Sequence, residues 1–161
     1  MYKKQELSSE TKPEFFRLLA AQLDGLLTGE TDWLANLANA SALLFDQMPQ
    51  INWAGFYLEK EGQLVLGPFQ GKPACVRIQP GKGVCGTAFA EKTCQVVADV
   101  HAFPGHIACD ADSRSEIVIP FYEQSGLSGV LDVDSPLTGR FDEEDRQGLT
   151  QYLQVLWSHL G

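Results

Sequence analysis

Phe16, Leu19, Ala20, Leu23 and Leu27 recur at helical spacing behind Thr11-Lys-Pro-Glu14, a capping box with an early proline. This predicts a first helix that runs to Gly29. Thr31-Asp32 can cap a second, in which Leu34, Leu37, Ala38, Ser41, Leu44, Phe45 and Met48 form one small or apolar stripe ending at Pro49. Beyond Pro49 the period becomes strand-like. Ile51 to Leu58 and Gln63 to Leu66 flank Glu59-Lys-Glu-Gly62, which suits a hairpin loop. Ala74 to Ile78 and Cys94 to Ala98 read as further strands, with Val84 to Ala90 helical between them. Glu116 to Tyr122 and Gly129 to Ser135 form a second hairpin around Gln124-Ser-Gly-Leu-Ser128, rich in β-branched residues and central in character. Phe141-Asp-Glu-Glu-Asp145 opens a last helix whose apolar face is Leu149, Tyr152, Leu153, Leu156, Trp157 and Leu160. Helices at both ends and about six strands between them predict an α+β fold with a largely antiparallel sheet.

At 161 residues the chain is expected to form one domain spanning 1–161 and to bury roughly 70% of its unfolded surface. A content of 44% hydrophobic and 20% charged residues excludes a disordered or fibrous chain. With 21 Asp and Glu against 12 Lys and Arg, the net charge of -9 opposes binding to a phosphate backbone, so nucleic acid is not an expected partner. The first ten residues lack the apolar core of a secretory signal, and no apolar run approaches the ~20 residues that cross a bilayer. A soluble, cytoplasmic protein without membrane contact is expected. In that compartment Cys75, Cys85, Cys94 and Cys109 should rest as reduced thiols.

Three constellations carry candidate chemistry. Asp132 and Asp134 share one face of a strand whose other face carries Leu131 and Val133, and the hairpin brings Glu116 opposite Asp134 or Ser135. Three carboxylates so crowded form either a solvated sheet face or a site for an ammonium group or metal ion; Arg114 is the one basic residue near Glu116 in sequence. The second constellation lies in the aperiodic stretch from Asp99 to Arg114, where His101, His106 and Cys109 offer a metal set or, with imidazolium beside thiol, a nucleophile. No C-x-x-C is present, and no metal is assigned to the site. The third is Gly81-Lys-Gly-Val-Cys-Gly86, a structural turn or an anion site at a helix start. Trp53 and Tyr57, four apart on one strand face, suit either the core or the wall of a ligand site.

Six segments together resemble one family: Asn52-Trp-Ala-Gly-Phe-Tyr57, Gly67-Pro-Phe-Gln-Gly71, Gly81-Lys-Gly-Val-Cys-Gly-Thr-Ala88, Val97-Ala-Asp-Val-His101, Cys109-Asp-Ala-Asp-Ser-Arg-Ser-Glu-Ile-Val-Ile-Pro120 and Gly129-Val-Leu-Asp-Val-Asp-Ser135. They closely resemble the free methionine-(R)-sulfoxide reductases, which are GAF-domain proteins. The resemblance implies a GAF-like fold with a six-stranded antiparallel sheet and N- and C-terminal helices against it. It implies Cys109 as nucleophile, Cys75 as main resolving thiol and Cys85 as a possible second, with Cys94 unassigned. Glu116, Asp132 and Asp134 match substrate-binding carboxylates, and Trp53, with Tyr57 beside it, an aromatic wall for the substrate methyl group. The implied reaction reduces free L-methionine-(R)-sulfoxide through a cysteine sulfenic acid and an intramolecular disulfide, with thioredoxin as reductant and no cofactor. A homodimer and a part in the response to oxidative stress are implied too. The competing class is a non-catalytic GAF module that binds a small ligand.

Overall fold

The computed structural model describes residues 1–7, 9–106 and 111–161. Its elements run α1 (Lys12–Leu27), α2 (Trp33–Gln47), β1 (Trp53–Lys60), β2 (Gln63–Gly71), β3 (Arg77–Ile78), α3 (Gly83–Glu91), β4 (Gln95–Val97), β5 (Ser115–Gln124), β6 (Leu127–Ser135) and α4 (Glu143–Ser158), with a single 3-10 turn at Val100–Ala102. The six strands form one sheet in the order β3-β2-β1-β6-β5-β4, each neighbour antiparallel. This is the expected α+β architecture, and β5 and β6 are interior strands as their composition indicates.

The helices α1, α2 and α4 each start where a side chain takes up an orphan N–H. The Thr11 hydroxyl accepts from the Glu14 amide and Asp32 from Ala35, while Asp142 and Asp145 form a reciprocal capping box at α4. Asp145 is 1% exposed and is compensated by Lys12 at 2.6 Å and Arg140 at 3.4 Å, which ties α4 to α1 and to the loop before it. The two sheet faces have different jobs. Alternate residues Ala54, Phe56 and Leu58 of β1, Ile117, Ile119 and Phe121 of β5, and Leu131 and Val133 of β6 pack against α1, α2 and α4 in the main core. The residues between them point to α3, where Tyr57, Leu64, Val84, Ala88, Val118 and Val130 make a smaller cluster.

Three local outcomes differ from the sequence expectation. Both hairpins close with two-residue turns, Glu61-Gly62 and Ser125-Gly126, each with two positive φ angles, so the strands run further than the loops suggest. β2 continues past Leu66 to Gly71 because Gly67 and Pro68 stand together against Phe56, between the pairs Tyr57–Leu66 and Gly55–Phe69. A bulge accommodates a proline that a regular ladder would reject. The expected strand from Ala74 shrinks to Arg77–Ile78, since the chain before it is held by other contacts described below.

Candidate active site

The antiparallel register stacks site residues in rows across the sheet. In one row Glu116 of β5 pairs with Asp134 of β6, which pairs with Trp53 of β1. In the next, Val118 pairs with Asp132 and Asp132 with Gly55. Gly55 is forced: a Cβ there would stand 2.3 Å from that of Phe69. Its bareness leaves room over Asp132, and Phe69 closes the far side by stacking on Trp53 at 5.1 Å with an interplanar angle of 14°. Tyr57, one row on, stacks on the other flank of Trp53 at 5.9 Å.

The sheet thus supplies the floor of a cavity whose side walls are Lys72, Pro73 and Ala74 after β2, Lys82 to Cys85 at the start of α3, and His106 and Ser113. Glu116, Asp132 and Asp134 all line it. Glu116 is 8% exposed and Asp132 5%, so the solvated-face alternative fails: these carboxyl groups point into the molecule. Arg114 remains exposed. Burial, and secondarily the Asp132 charge, pushes the Glu116 carboxyl well above its ordinary range; burial, then Asp134, does the same to Asp132. A carboxyl so raised holds its proton more tightly than an exposed one and is suited to donating it.

Trp53 and Tyr57 resolve as both core and wall, each 2% exposed and each facing the cavity. Their polar ends hold the neighbouring chain. The indole N–H of Trp53 donates to the Lys72 carbonyl at 3.1 Å, and the Tyr57 hydroxyl donates to the Cys75 carbonyl at 2.9 Å. These contacts and the disulfide bond at Cys75 hold the chain ahead of β3. Cys85 and Cys94 are free thiols. The expectation of four resting thiols therefore fails at Cys75.

Cys85 sits in the first turn of α3, with Sγ 3.9 Å from Glu116 Oε2. Burial first, and the charges of Asp132, Glu116 and Asp134 next, push its thiol up, so it is a poor thiolate at neutral pH. Cys94 lies on the opposite side, packed against the main core, and burial pushes it up to about 11. The Gly81–Gly86 segment closes a tight loop, Gly81 N–H donating to the Gly86 carbonyl at 2.8 Å. It also brings an α3 N-terminus without a side-chain cap to the cavity wall, so the turn and anion-site readings describe one object. His106 lines the cavity, its basicity lowered by burial and then by His101, while His101 is exposed and pairs with Asp99. Cys109 lies outside the described residues, so the His101, His106 and Cys109 grouping has no described geometry.

Sequence reasoning missed Phe69, Lys72 and Ser113. Phe69 was legible only once β2 extended through the bulge to face Gly55. Lys72 pairs with Asp112, and Ser113 accepts from the Asn52 amide at 3.2 Å, so both lie on contacts between distant segments that no local pattern reveals.

Comparison with known proteins places this geometry. The GAF domain family matches residues 35–160. The free methionine-R-sulfoxide reductase of Escherichia coli is 56% identical over 145 residues, covering 90% of this chain and 88% of that protein. The free methionine-R-sulfoxide reductase of Neisseria meningitidis, solved in complex with its substrate, superposes with a TM-score of 0.90 at 42% identity, over 99% of this chain and 95% of that one. The Staphylococcus aureus fRMsr, in complex with substrate, gives a TM-score of 0.85 at 47% identity, over 98% and 100%.

Proposed function

The chain belongs to the free methionine-R-sulfoxide reductase family of GAF-domain proteins, and we propose that it reduces free L-methionine-(R)-sulfoxide to methionine as a thioredoxin-dependent oxidoreductase. The observation that carries this reading is the juxtaposition of buried carboxyl groups of raised pKa with an aromatic wall at one cavity, Tyr57 of that wall holding the carbonyl of a disulfide-bonded cysteine. A non-catalytic ligand-binding module has no use for that disulfide.

The substrate methyl group rests on Trp53, flanked by Tyr57 and Phe69, and its ammonium group on the carboxylates. The uncapped first turn of α3 offers N–H groups to the substrate carboxylate. The Cys109 thiolate attacks the sulfoxide sulfur while a carboxyl of the Glu116, Asp132 and Asp134 cluster gives its proton to the departing oxygen. The oxygen, twice protonated, leaves as water from the sulfur now bonded to Cys109; a water then attacks the Cys109 sulfur and breaks that bond, so methionine leaves two electrons richer and Cys109 carries the new oxygen as a sulfenic acid. The Cys75 thiolate then attacks that sulfur, displacing water and closing the disulfide, which a thioredoxin-type dithiol reopens by exchange. In this reading Cys75 resolves Cys109, while Cys85 and Cys94 are free thiols. Cys85 then stands beside the carboxylates as a spare thiol. This reading takes the chain as a single domain working as a cytoplasmic homodimer under oxidative stress.

The test is consumption of NADPH with thioredoxin and thioredoxin reductase, comparing free with N-acetylated methionine-(R)-sulfoxide. Acetylation removes a charge-assisted contact worth roughly 1.5 to 3 kcal/mol and strands buried carboxylates, so kcat/KM should fall more than about a hundredfold. Similar values for both substrates would overturn the free-amino-acid assignment.

A further inference from the structure

The reductase reading gives Cys85 no indispensable task, although its position is unusual: a thiol buried in direct reach of two buried carboxyl groups. One ligand atom each from Cys85, Glu116 and Asp132 lie within 4.8 Å of one another, and the pair Cys85 Sγ and Glu116 Oε2 is 3.9 Å apart. A tetrahedral zinc ion with ordinary bond lengths sets its sulfur and oxygen ligands about 3.6 Å apart. The Cys85–Glu116 pair is within a few tenths of an ångström of that spacing, and side-chain rotation that draws in the pairs to Asp132 would enclose an ion.

A second observation points the same way. Asp132, 5% exposed, has a buried oxygen, Oδ1, with no hydrogen-bond partner, a state that costs free energy unless something arrives to satisfy it. The three groups border a cavity of about 50 Å³, room for a water molecule as the fourth ligand. Among the described residues no other group of His, Cys, Asp and Glu has this ligand spacing.

We propose that Cys85, Glu116 and Asp132 form a binding site for a thiophilic divalent cation of the zinc class. One thiolate and two carboxylates bind such an ion as a borderline-soft donor set, which disfavours magnesium and calcium. The occupant displaces one proton from each ligand that was protonated. If the reductase reading holds, the ion also takes the carboxylates that would receive the substrate ammonium group, and zinc competes with substrate.

The disulfide-bonded protein suits the experiment, because Cys75 is tied up while Cys85 is free. Cobalt(II) serves as the probe, titrated without substrate or reductant and then displaced by zinc. The expected result is one equivalent bound, with near-ultraviolet thiolate-to-cobalt charge-transfer absorption that C94S retains and C85S loses. D132N, which keeps the thiol, should weaken cobalt binding roughly tenfold or more. No charge-transfer absorption in the wild type, its persistence in C85S, or unchanged affinity in D132N would each overturn the site. A failure here leaves the reductase assay unaffected, and a failure of that assay leaves the titration unaffected.

Discussion

Cysteine placement at the residue scale separates three thiols that look alike in sequence. Cys94 is lodged against the main core and Cys85 is held protonated among acids, whereas Cys75 is oxidised and its carbonyl is fixed by Tyr57. If Cys109 is the nucleophile, C109S should reduce turnover to background, because a hydroxyl is a far weaker nucleophile and forms no sulfenate. C75S should still reduce about one equivalent of substrate and then stall, since no resolving thiol closes the disulfide. Rapid-quench counting of methionine against steady-state NADPH consumption separates the two variants. Undiminished cycling in C75S would transfer the resolving role to Cys85.

Glycine sets the close approaches that bring the rows together at the scale of elements. Gly129 of β6 faces Leu58 of β1, and a Cβ there would stand 2.0 Å from the Tyr57 carbonyl oxygen, a backbone atom that cannot swing aside. G129A should therefore destabilise the protein by about 3 kcal/mol or more and shift the β1–β6 pair that aligns Trp53 with Asp134. Urea unfolding and the change in the near-ultraviolet aromatic signal would read both effects; a loss within about 0.5 kcal/mol, roughly that of an ordinary surface change, would contradict the packing. The elements themselves were largely legible. Caps at Thr11 and Asp32 announced two helices and the acidic opening Phe141–Asp145 a third, and the alternation of Leu131, Asp132, Val133 and Asp134 announced a sheet with one dry and one chemical face. Illegible were the features that depend on a partner strand. Gly67-Pro68 looks like a terminator until Phe56 is seen to oppose both residues, and Glu61 and Ser125 do not advertise positive φ. Burial of the carboxylates was open for the same reason, since α3 and the segment after β2 must fold over the sheet to exclude water.

At the scale of the whole molecule, the site is a load carried by the rest of the fold. One sheet face buries aliphatic and aromatic side chains against three helices, and the other holds acids in a place where ionisation is unfavourable. Glu116 and Asp132 have their folded pKa values raised above the ordinary 4.5 and 3.8, so the folded chain binds their protons more tightly than the unfolded chain. By linkage, the stability they contribute is fully present below those ordinary values and is lost as pH rises through the raised ones. The exposed ion pairs act in the opposite sense: Asp112 is lowered by Lys72 and Glu143 by Arg146, and both contributions fade in acid. Wild-type stability mixes the two trends, and a variant isolates one of them. D132N removes a buried ionisation while nearly conserving volume, so it should unfold at a higher temperature than the wild type at about pH 8, with the gap narrowing towards about pH 4. The same substitution should lower kcat/KM, because it removes an acid from the substrate cavity. Thermal unfolding of both proteins across that range, with the disulfide intact, measures the difference directly. A gap that stays constant with pH, or a variant less stable than wild type at about pH 8, would mean that Asp132 is not held against its own ionisation by the fold.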